Sequence, residues 1–333
     1  MASSRVRPIV LAANMPDTFY RGAGRIGAFR SVPLPDRPED WVASSTPRFG
    51  GGTSGMTRLA DGVLLADVIA ADPVAWLGAE HVARFGPDPA LLVKLLDAGQ
   101  RLPLHVHPDR GFAAKHLASP YGKTEAWIVL AAVPGAVVHL GFSRDVPVAE
   151  LAGWVDRQDV SAMLAAVNQV PVAAGDTVLC PAGTPHSIGD GILVVELQEP
   201  SDWSVLLEYR DFALGPDEAF LGLPADEALA CVSRSACPPA LVESLRGRSL
   251  NRTFGSLLPD AADPFFVAER VGSGTVLGAG YSVLIVTAGE GALRADPGPD
   301  IPLQRGSTLV IPHAAGECTL TGDLTAIRCR PAA

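Results

Sequence analysis

Lysine is the scarcest charged residue in this 333-residue chain, which contains only Lys94, Lys115 and Lys123. The formal net charge is −10, and no basic stripe stands out against it. Proteins that bind nucleic acids carry a basic patch to offset the phosphate backbone, so this composition excludes nucleic acid as a partner. A small phosphorylated molecule stays compatible with the sequence, because a few local cations can hold it.

Cysteine is also sparse. The five cysteines are widely spaced, and no C-x-x-C pair occurs. An odd number without close pairs argues against a disulfide framework and against a zinc site made of thiolates. We interpret the cysteines as mostly buried, small apolar residues. They are Cys180, Cys231, Cys237, Cys318 and Cys329.

Long hydrophobic runs are missing as well. The longest apolar stretch, Ala126 to Phe142, is interrupted by Pro134, Gly135 and His139, which is typical of strand–turn–strand and not of a membrane helix. The apolar run within residues 1–13 is too short for the central part of a signal peptide. The sequence therefore predicts a soluble, cytoplasmic protein that has no membrane partner.

Apolar residues are plentiful, at 48%, and so are glycine and proline, with 34 and 29 residues. This composition favours short strands joined by many turns. The segment Val172 to Pro181 has the pattern of a strand, a glycine turn, a second strand and a proline. The segment Leu303 to Pro312 repeats this pattern. The repeat predicts a mainly β fold with helical insertions, built on two similar jelly-roll barrels.

Changes in pattern along the chain divide it into three parts. Residues 1–213 are expected to form the first barrel domain, with an irregular N-terminal region and a helical insertion at 143–169. Residues 214–262 are expected to be a helical spacer, and residues 263–333 the second barrel.

A glycine pattern near the N-terminus, Gly22-x-Gly24-x-x-Gly27, matches the dinucleotide-binding fingerprint. Such a site needs a buried strand immediately before the glycines. The preceding residues, Met15 to Tyr20, make a poor strand. We therefore expect a loop here and no nucleotide cofactor.

Four side chains have the pattern of a metal site. His105 and His107 are two residues apart, so on a strand both point to the same face. His186 ends a G-x5-P-x-G-x2-H segment, which is the second cupin motif without a mismatch, and Glu125 begins another apparent strand. Three imidazoles and a carboxylate suit zinc, iron, manganese or nickel, and leave an open position as catalytic sites require.

The second predicted barrel lacks this pattern. It keeps Gly306 and Pro312, but Ala314 and Glu317 stand where the motif has its second glycine and its histidine. We therefore expect the second barrel to hold no metal and to have a structural or packing role.

These motifs together resemble the type I phosphomannose isomerases. The similar segments are residues 91–99, Val106 to Asp109, Gly122 to Trp127 and Pro181 to His186, with the strong match covering about residues 90–202. The resemblance implies a cupin-fold zinc enzyme that interconverts mannose 6-phosphate and fructose 6-phosphate. It places the metal ligands at His105, His107, Glu125 and His186, the family lysine at Lys123 and its acidic strand residue at Glu196.

Three positions depart from the family pattern. His105 replaces a glutamine ligand, and Pro103 replaces a serine that helps to hold phosphate. Leu206 stands at the position of the family's catalytic arginine, while Arg210 lies four residues further along. An unphosphorylated or different sugar is therefore an open possibility for the substrate.

The working hypothesis is a metal-dependent aldose–ketose isomerase that acts on a small sugar or sugar phosphate, with Zn²⁺ as the favoured ion. Glu196 is the candidate base, Lys123 the candidate contact to a sugar hydroxyl or oxyanion, and Arg210 the candidate catalytic arginine. Two alternatives are a metal-containing cupin that binds sugar without catalysis and an oxygenase with iron on three histidines and a glutamate. The sequence leaves the oligomeric state open.

Overall fold

The computed structural model describes residues 6–248 and 255–332. The strands are β1 (Ile9–Val10), β2 (Glu39–Val42), β3 (Leu92–Ala98), β4 (His105–Val106), β5 (Glu125–Ala132), β6 (Val137–Phe142), β7 (Val167–Pro171), β8 (Asp176–Cys180), β9 (His186–Ile188), β10 (Ile192–Gln198), β11 (Val205–Leu206), β12 (Arg246–Arg248), β13 (Gly255–Ser256), β14 (Phe266–Gly272), β15 (Val276–Leu277), β16 (Ser282–Ala295), β17 (Ile301–Gln304), β18 (Thr308–Ile311) and β19 (Cys318–Pro331).

The helices are short and lie mainly between the strands. They are α1 (Arg25–Arg30), α2 (Leu65–Ala71), α3 (Pro73–Leu77), α4 (Ala79–Phe85), α5 (Arg110–His116), α6 (Val148–Arg157), α7 (Val160–Ala166), α8 (Pro216–Ala219), α9 (Ala225–Leu229) and α10 (Pro239–Ser244). None of the helices in the described ranges has the length and apolarity that crossing a membrane requires.

The strands form three antiparallel sheets. The first sheet has six strands in the order β12-β8-β5-β10-β3-β2, and the second has five in the order β11-β4-β9-β6-β7. The third has eight strands along β1-β18-β16-β19-β14-β13, with β15 and β17 paired at its side. The predicted class, mainly β with helical insertions, is confirmed, although the described strands form separate sheets and not closed rings.

One apolar core joins all three sheets. It contains Leu95 and Val195 from the first sheet, Ile188 from the second, and Ile285 and Ile327 from the third. Strands β3 and β10 are buried along their whole length, which explains why their sequences are dense in leucine, valine and isoleucine and do not alternate with polar residues. The first and second sheets meet around the predicted metal site.

The repeat that was recognised in the sequence is a structural repeat. Gly175 has a φ of +90° and precedes β8, and Gly306 has a φ of +87° and precedes β18. Residues with a side chain rarely adopt this left-handed conformation. At Gly306 a Cβ atom would also lie 2.4 Å from the carbonyl oxygen of Phe29, so the close approach of the chain requires glycine there.

Two helices lie where the sequence indicates a helical insertion, and one strand is shorter than expected. Helices α6 and α7 lie in the predicted insertion at 143–169. The strand expected over residues 102–107 is reduced to β4, because Pro103 and Pro108 flank it and lack the amide hydrogen that a sheet ladder needs.

The three-part domain division stays a prediction, and two strand pairings run across its boundaries. Strand β1 pairs with β18, which ties the N-terminal segment to the third sheet. Strand β12, from the predicted helical spacer at 214–262, pairs with β8 in the first sheet. Residues 249–254 of that spacer, and residues 1–5 and 333 at the ends, lie outside the described residues.

Asp97 anchors the N-terminal segment to β3. Its buried carboxylate accepts hydrogen bonds from the backbone amides of Ala23 and Arg25 at 2.9 and 2.8 Å, and from the Arg25 guanidinium at 2.7 Å. We expect Asp97→Ala to lower the free energy of unfolding by about 3 kcal/mol, because it leaves these donors without an acceptor. Denaturant unfolding measures this loss.

The matched control is Asp300→Ala, which removes the exposed partner of Arg294. Surface ion pairs contribute little to stability, so this variant should unfold almost like the wild type. Equal losses in the two variants would contradict the anchoring role of Asp97.

Candidate functional site

The four predicted metal ligands lie together between the first and second sheets. His105 on β4 is directly opposite His186 on β9, and the centres of their rings are 4.1 Å apart. The ring of His107 lies 4.9 Å from that of His105 and 4.7 Å from that of His186. Glu125, the first residue of β5, places its two carboxylate oxygens 3.0 Å from Nε2 of His107 and 3.1 Å from Nε2 of His186.

Backbone carbonyls fix the orientation of all three imidazoles. Nδ1 of His105 lies 2.8 Å from the oxygen of Pro103, Nδ1 of His107 lies 2.7 Å from that of Trp203, and Nδ1 of His186 lies 2.8 Å from that of Thr184. A carbonyl oxygen can only accept a hydrogen bond, so each Nδ1 must carry the hydrogen. Each Nε2 therefore keeps its lone pair, which is the form of histidine that binds a metal.

The charges at the cluster suit a cation. Burial and the nearby Lys123 ammonium lower the pKa of His107 to about 3, and burial together with the other two imidazoles lowers the pKa of His105 well below its usual range. Burial alone would raise the pKa of Glu125, but His107 and His186 outweigh it and hold this pKa well below its usual range. The cluster thus presents neutral imidazoles at His105 and His107 and an ionised carboxylate at Glu125 at neutral pH.

Two buried nitrogens indicate what completes the cluster. Nε2 of His107 and Nε2 of His186 make no hydrogen bond with any described residue. Each faces a Glu125 oxygen at hydrogen-bond distance, although with Nδ1 protonated neither atom has a hydrogen to donate. Lone pairs opposed at this distance repel each other unless a positive ion lies between them. The residues present therefore fit a divalent metal.

Cys180 is a neighbour of the cluster that the sequence did not single out. Its sulfur lies within 4.8 Å of ligand atoms of Glu125 and His186. Burial raises the pKa of its thiol well above the usual range, so the thiol stays protonated, and a metal binds the thiolate. The expectation that the cysteines are buried apolar residues fits Cys180.

A cavity of about 340 Å³ opens onto the cluster. His105 and Glu125 line it, together with Lys123 and Glu196, which are 5% and 3% exposed. Oε1 of Glu196 is buried and has no hydrogen-bond partner among the described residues. Burial and the Glu125 carboxylate raise the pKa of Glu196 to about 7, against the opposing effect of Lys94 and Lys123.

Lys94 is a functional candidate that the sequence analysis missed. Its ammonium lies 3.5 Å from Glu196 and 3.7 Å from Glu39, and 4.5 Å from the centre of a Trp41 ring. Tyr20 also donates a hydrogen bond to Glu39. One signal was available in the sequence, because a lysine within an unbroken run of buried strand residues is unusual unless it is paired.

Comparison with known proteins gives this geometry a context. No family model matches the chain. Mannose-6-phosphate isomerase from Streptococcus mutans is 28% identical over 315 residues, which cover 89% of this chain and 89% of that protein. The chain is thus similar to the type I phosphomannose isomerases, consistent with a divergent member of that family.

Solved structures of this family share the fold. Mannose 6-phosphate isomerase from Bacillus subtilis has a TM-score of 0.72 at 20% sequence identity, covering 98% of this chain and 100% of that one. A variant of phosphomannose isomerase from Salmonella typhimurium has a TM-score of 0.75 at 16% identity, covering 98% of this chain and 100% of that one.

Two residues that differ from the phosphomannose isomerase pattern line the cavity. Pro103 and Leu206 both line the cavity, at the positions where the family resemblance implies a serine and an arginine. Arg210 does not reach the cavity lining. It is exposed and begins a short 3₁₀ turn after β11, where its backbone amide is bonded to the side chain of Gln158.

A different arginine contributes to the cavity of this phosphomannose isomerase relative. Arg48 comes from the N-terminal segment that was expected to be irregular, and it lines the cavity beside the exposed residues Phe49 and Gly50. Its guanidinium donates a hydrogen bond to the carbonyl of Asp17, and it forms no ion pair with a carboxylate of the described residues. Only the folded chain reveals this arginine, because no motif surrounds it.

We expect the purified protein to contain close to one divalent ion per chain, and His186→Ala to lose most of it. The variant removes a lone pair that points at the centre of the cluster, and losing one of four ligands weakens binding strongly. Elemental analysis of the dialysed proteins measures the metal content.

The matched control is His116→Ala, which replaces a half-buried histidine outside the cluster. It should retain the metal of the wild type. An unchanged metal content in His186→Ala would remove His186 from the proposed ligand set.

Proposed function

We propose that the chain is a metal-dependent aldose–ketose isomerase, which interconverts mannose 6-phosphate and fructose 6-phosphate or a closely related sugar pair. The observation that carries the proposal is the joint lining of one cavity by His105 and Glu125 of the candidate metal site and by Glu196. Oε1 of this buried carboxylate accepts no hydrogen bond from a described residue and lies 3.5 Å from the Lys94 ammonium. The relatedness to mannose-6-phosphate isomerases gives the proposal its reaction type.

Isomerisation between an aldose and a ketose moves a proton between two neighbouring carbons through an enediol. A divalent ion on His105, His107, Glu125 and His186, which we propose to be zinc, would act as a Lewis acid that stabilises negative charge on the sugar oxygen. Glu196 accepts the proton from one carbon and returns it to the next, since its Oε1 accepts no hydrogen bond from a described residue.

Two lysines position this chemistry. Lys94 contacts Glu196 at 3.5 Å and holds the carboxylate in place, and the pairing with Glu39 and Glu196 raises the pKa of Lys94 despite burial. Lys123 lies 3.8 Å from Glu125 and lines the cavity, where its ammonium can donate to a sugar hydroxyl or oxyanion. Both lysines are buried, so water competes little with the substrate for their hydrogen atoms.

The direct test is an assay of the metal-loaded protein with mannose 6-phosphate, mannose and a panel of other aldoses, with detection of the ketose product. Formation of a ketose supports the proposal. A protein that binds sugar without converting it would be a binding module. Oxygen consumption with iron, and no ketose, would identify the oxygenase alternative.

Replacing Glu196 by glutamine is expected to lower kcat by about 10² to 10⁴, because the proton acceptor is removed while the shape is kept. The metal content should stay at the wild-type value. Glu290→Gln, at an exposed position of the third sheet, is the control and should leave kcat unchanged. A Glu196→Gln enzyme with full kcat would exclude Glu196 as the base.

The rate should also depend on pH through Glu196. A base works in its ionised form, so kcat/KM of the wild type rises as the pH increases through the pKa of Glu196. This pKa is raised to about 7 by burial and by Glu125. A cation bound at Glu125 lowers it, so the acidic limb of the profile is expected at or below pH 7. A flat profile from pH 5 to 8 would contradict this assignment.

Arg48→Gln is expected to raise KM for a sugar phosphate by about tenfold and to change kcat little. Arg48 lines the cavity without a carboxylate partner, and hydrogen bonds between charged groups contribute about 1.5–3 kcal/mol. Steady-state kinetics with phosphorylated and unphosphorylated sugar measure the difference. The comparison variant is Arg210→Gln. If KM increases in this variant and not in Arg48→Gln, the result would support Arg210, the arginine that the sequence predicted.

A further inference from the structure

Arg328 is an unusual residue of the third sheet. The described chain buries two arginines, Arg30 and Arg328, which are 8% and 7% exposed. Arg30 forms an ion pair with the buried carboxylate of Asp40. Arg328 has no carboxylate within ion-pair distance among the described residues, and it donates only to neutral oxygens, Oγ of Ser282 at 3.2 Å and the carbonyl of Gly278 at 2.7 Å.

The strand register shows which face of the sheet Arg328 occupies. On β19 it pairs with Leu284 of β16, and directly opposite residues of two strands share a face. Leu284 and Ala326 belong to the apolar core inside the third sheet, which is separate from the core shared by all three sheets. The guanidinium therefore lies at the edge of an apolar interior, where an uncompensated charge is costly.

This charge borders an open cleft of about 850 Å³, between α4 and the third sheet. Its ionisable lining is mostly basic, with three arginines and two histidines against one glutamate, Glu80. The loop that closes one side contains Gly278 and Gly280, and a Cβ atom at either would meet nothing within 4 Å. The basic residues are His81, Arg84, His313, Arg328 and Arg330.

Part of the positive charge at the cleft is neutralised by described residues. Arg330 forms a two-pronged ion pair with Glu269, with both nitrogen–oxygen distances at 2.9 Å. Glu269 also lies opposite Arg328 in the register of β14 and β19, but burial and the neighbouring Arg330 outweigh it and lower the pKa of Arg328. An oxyanion in the cleft would supply the missing partner, because guanidinium groups bind phosphate and carboxylate through paired hydrogen bonds.

We propose that this cleft in the third sheet is a binding site for a small anionic metabolite, whose phosphate or carboxylate group is held by Arg328. The cleft has the size of a small-molecule site and not of a bare ion site. The site is separate from the cavity at His105 and His186, and none of the residues that line one lines the other. It assigns a ligand-binding role to the unit for which the sequence predicted no metal and only a structural or packing role.

The test compares the wild type with Arg328→Met, which keeps an unbranched apolar chain in place of the arginine stem and removes the charged guanidinium. Isothermal titration and thermal unfolding are measured with sodium phosphate, and separately with sodium acetate, against sodium chloride at equal ionic strength. We expect the wild type to bind at least one of the two anions at millimolar concentrations and to be stabilised by it. Arg328→Met should bind it at least about tenfold more weakly. The anion that binds identifies the chemical group.

Two control variants separate this site from others. Arg294→Gln replaces an exposed arginine of the same sheet, and Arg48→Gln replaces the arginine of the first cavity. Arg294→Gln should bind the anion like the wild type, and Arg48→Gln should keep the binding that Arg328→Met loses. If Arg48→Gln abolishes binding and Arg328→Met does not, the anion occupies the first cavity and the proposal is overturned.

Unfolding in chloride alone distinguishes a binding role from a structural one. A buried charge without a partner contributes little to the stability of the fold. Arg328→Met should therefore be at least as stable as the wild type when no oxyanion is present. A structural role for Arg328 predicts instead a loss of stability that is the same in every buffer. That result, or a wild type that binds neither phosphate nor acetate, would overturn the proposal.

Discussion

The candidate site depends on three hydrogen bonds from imidazole Nδ1 atoms to backbone carbonyls. These bonds settle the tautomer of His105, His107 and His186 before any ligand arrives, and they turn three Nε2 lone pairs towards a common centre. The acceptors belong to loops that flank the strands, so the backbone of the sheet determines the direction of the side chains. The rest of the cavity is arranged around that centre.

The metal-ligand cluster was predictable because its information is local. A two-residue spacing on a strand places His105 and His107 on one face, and the glycines and prolines before His186 dictate the turn that presents it. The mainly β class followed in the same way from the turn-rich composition and the repeat around Gly175 and Gly306. Each of these features is encoded within about ten neighbouring residues.

The rest of the cavity is formed by contacts between distant parts of the chain, which no local pattern encodes. Glu39 and Lys94 meet because β2 pairs with β3, and Glu196 joins them because β10 pairs with the other edge of β3. Arg48 enters from a segment whose sequence resembles a loop. Arg210 was chosen for its nearness in sequence to Leu206, but the chain turns away after β11 and leaves that side chain in solvent.

The pairing of β1 with β18 has a consequence for how the protein is made. Residues 9–10 are synthesised about 300 residues before their partners at 309–310. The N-terminal segment that follows β1 also contributes β2 to the first sheet. That sheet can therefore form before the partner strand of β1 has been synthesised. Domains generally fold in the order of their synthesis, but here β1 can complete its pairing only after β18 has been synthesised. A nascent chain stalled before residue 308 would therefore expose an unpaired strand edge to chaperones.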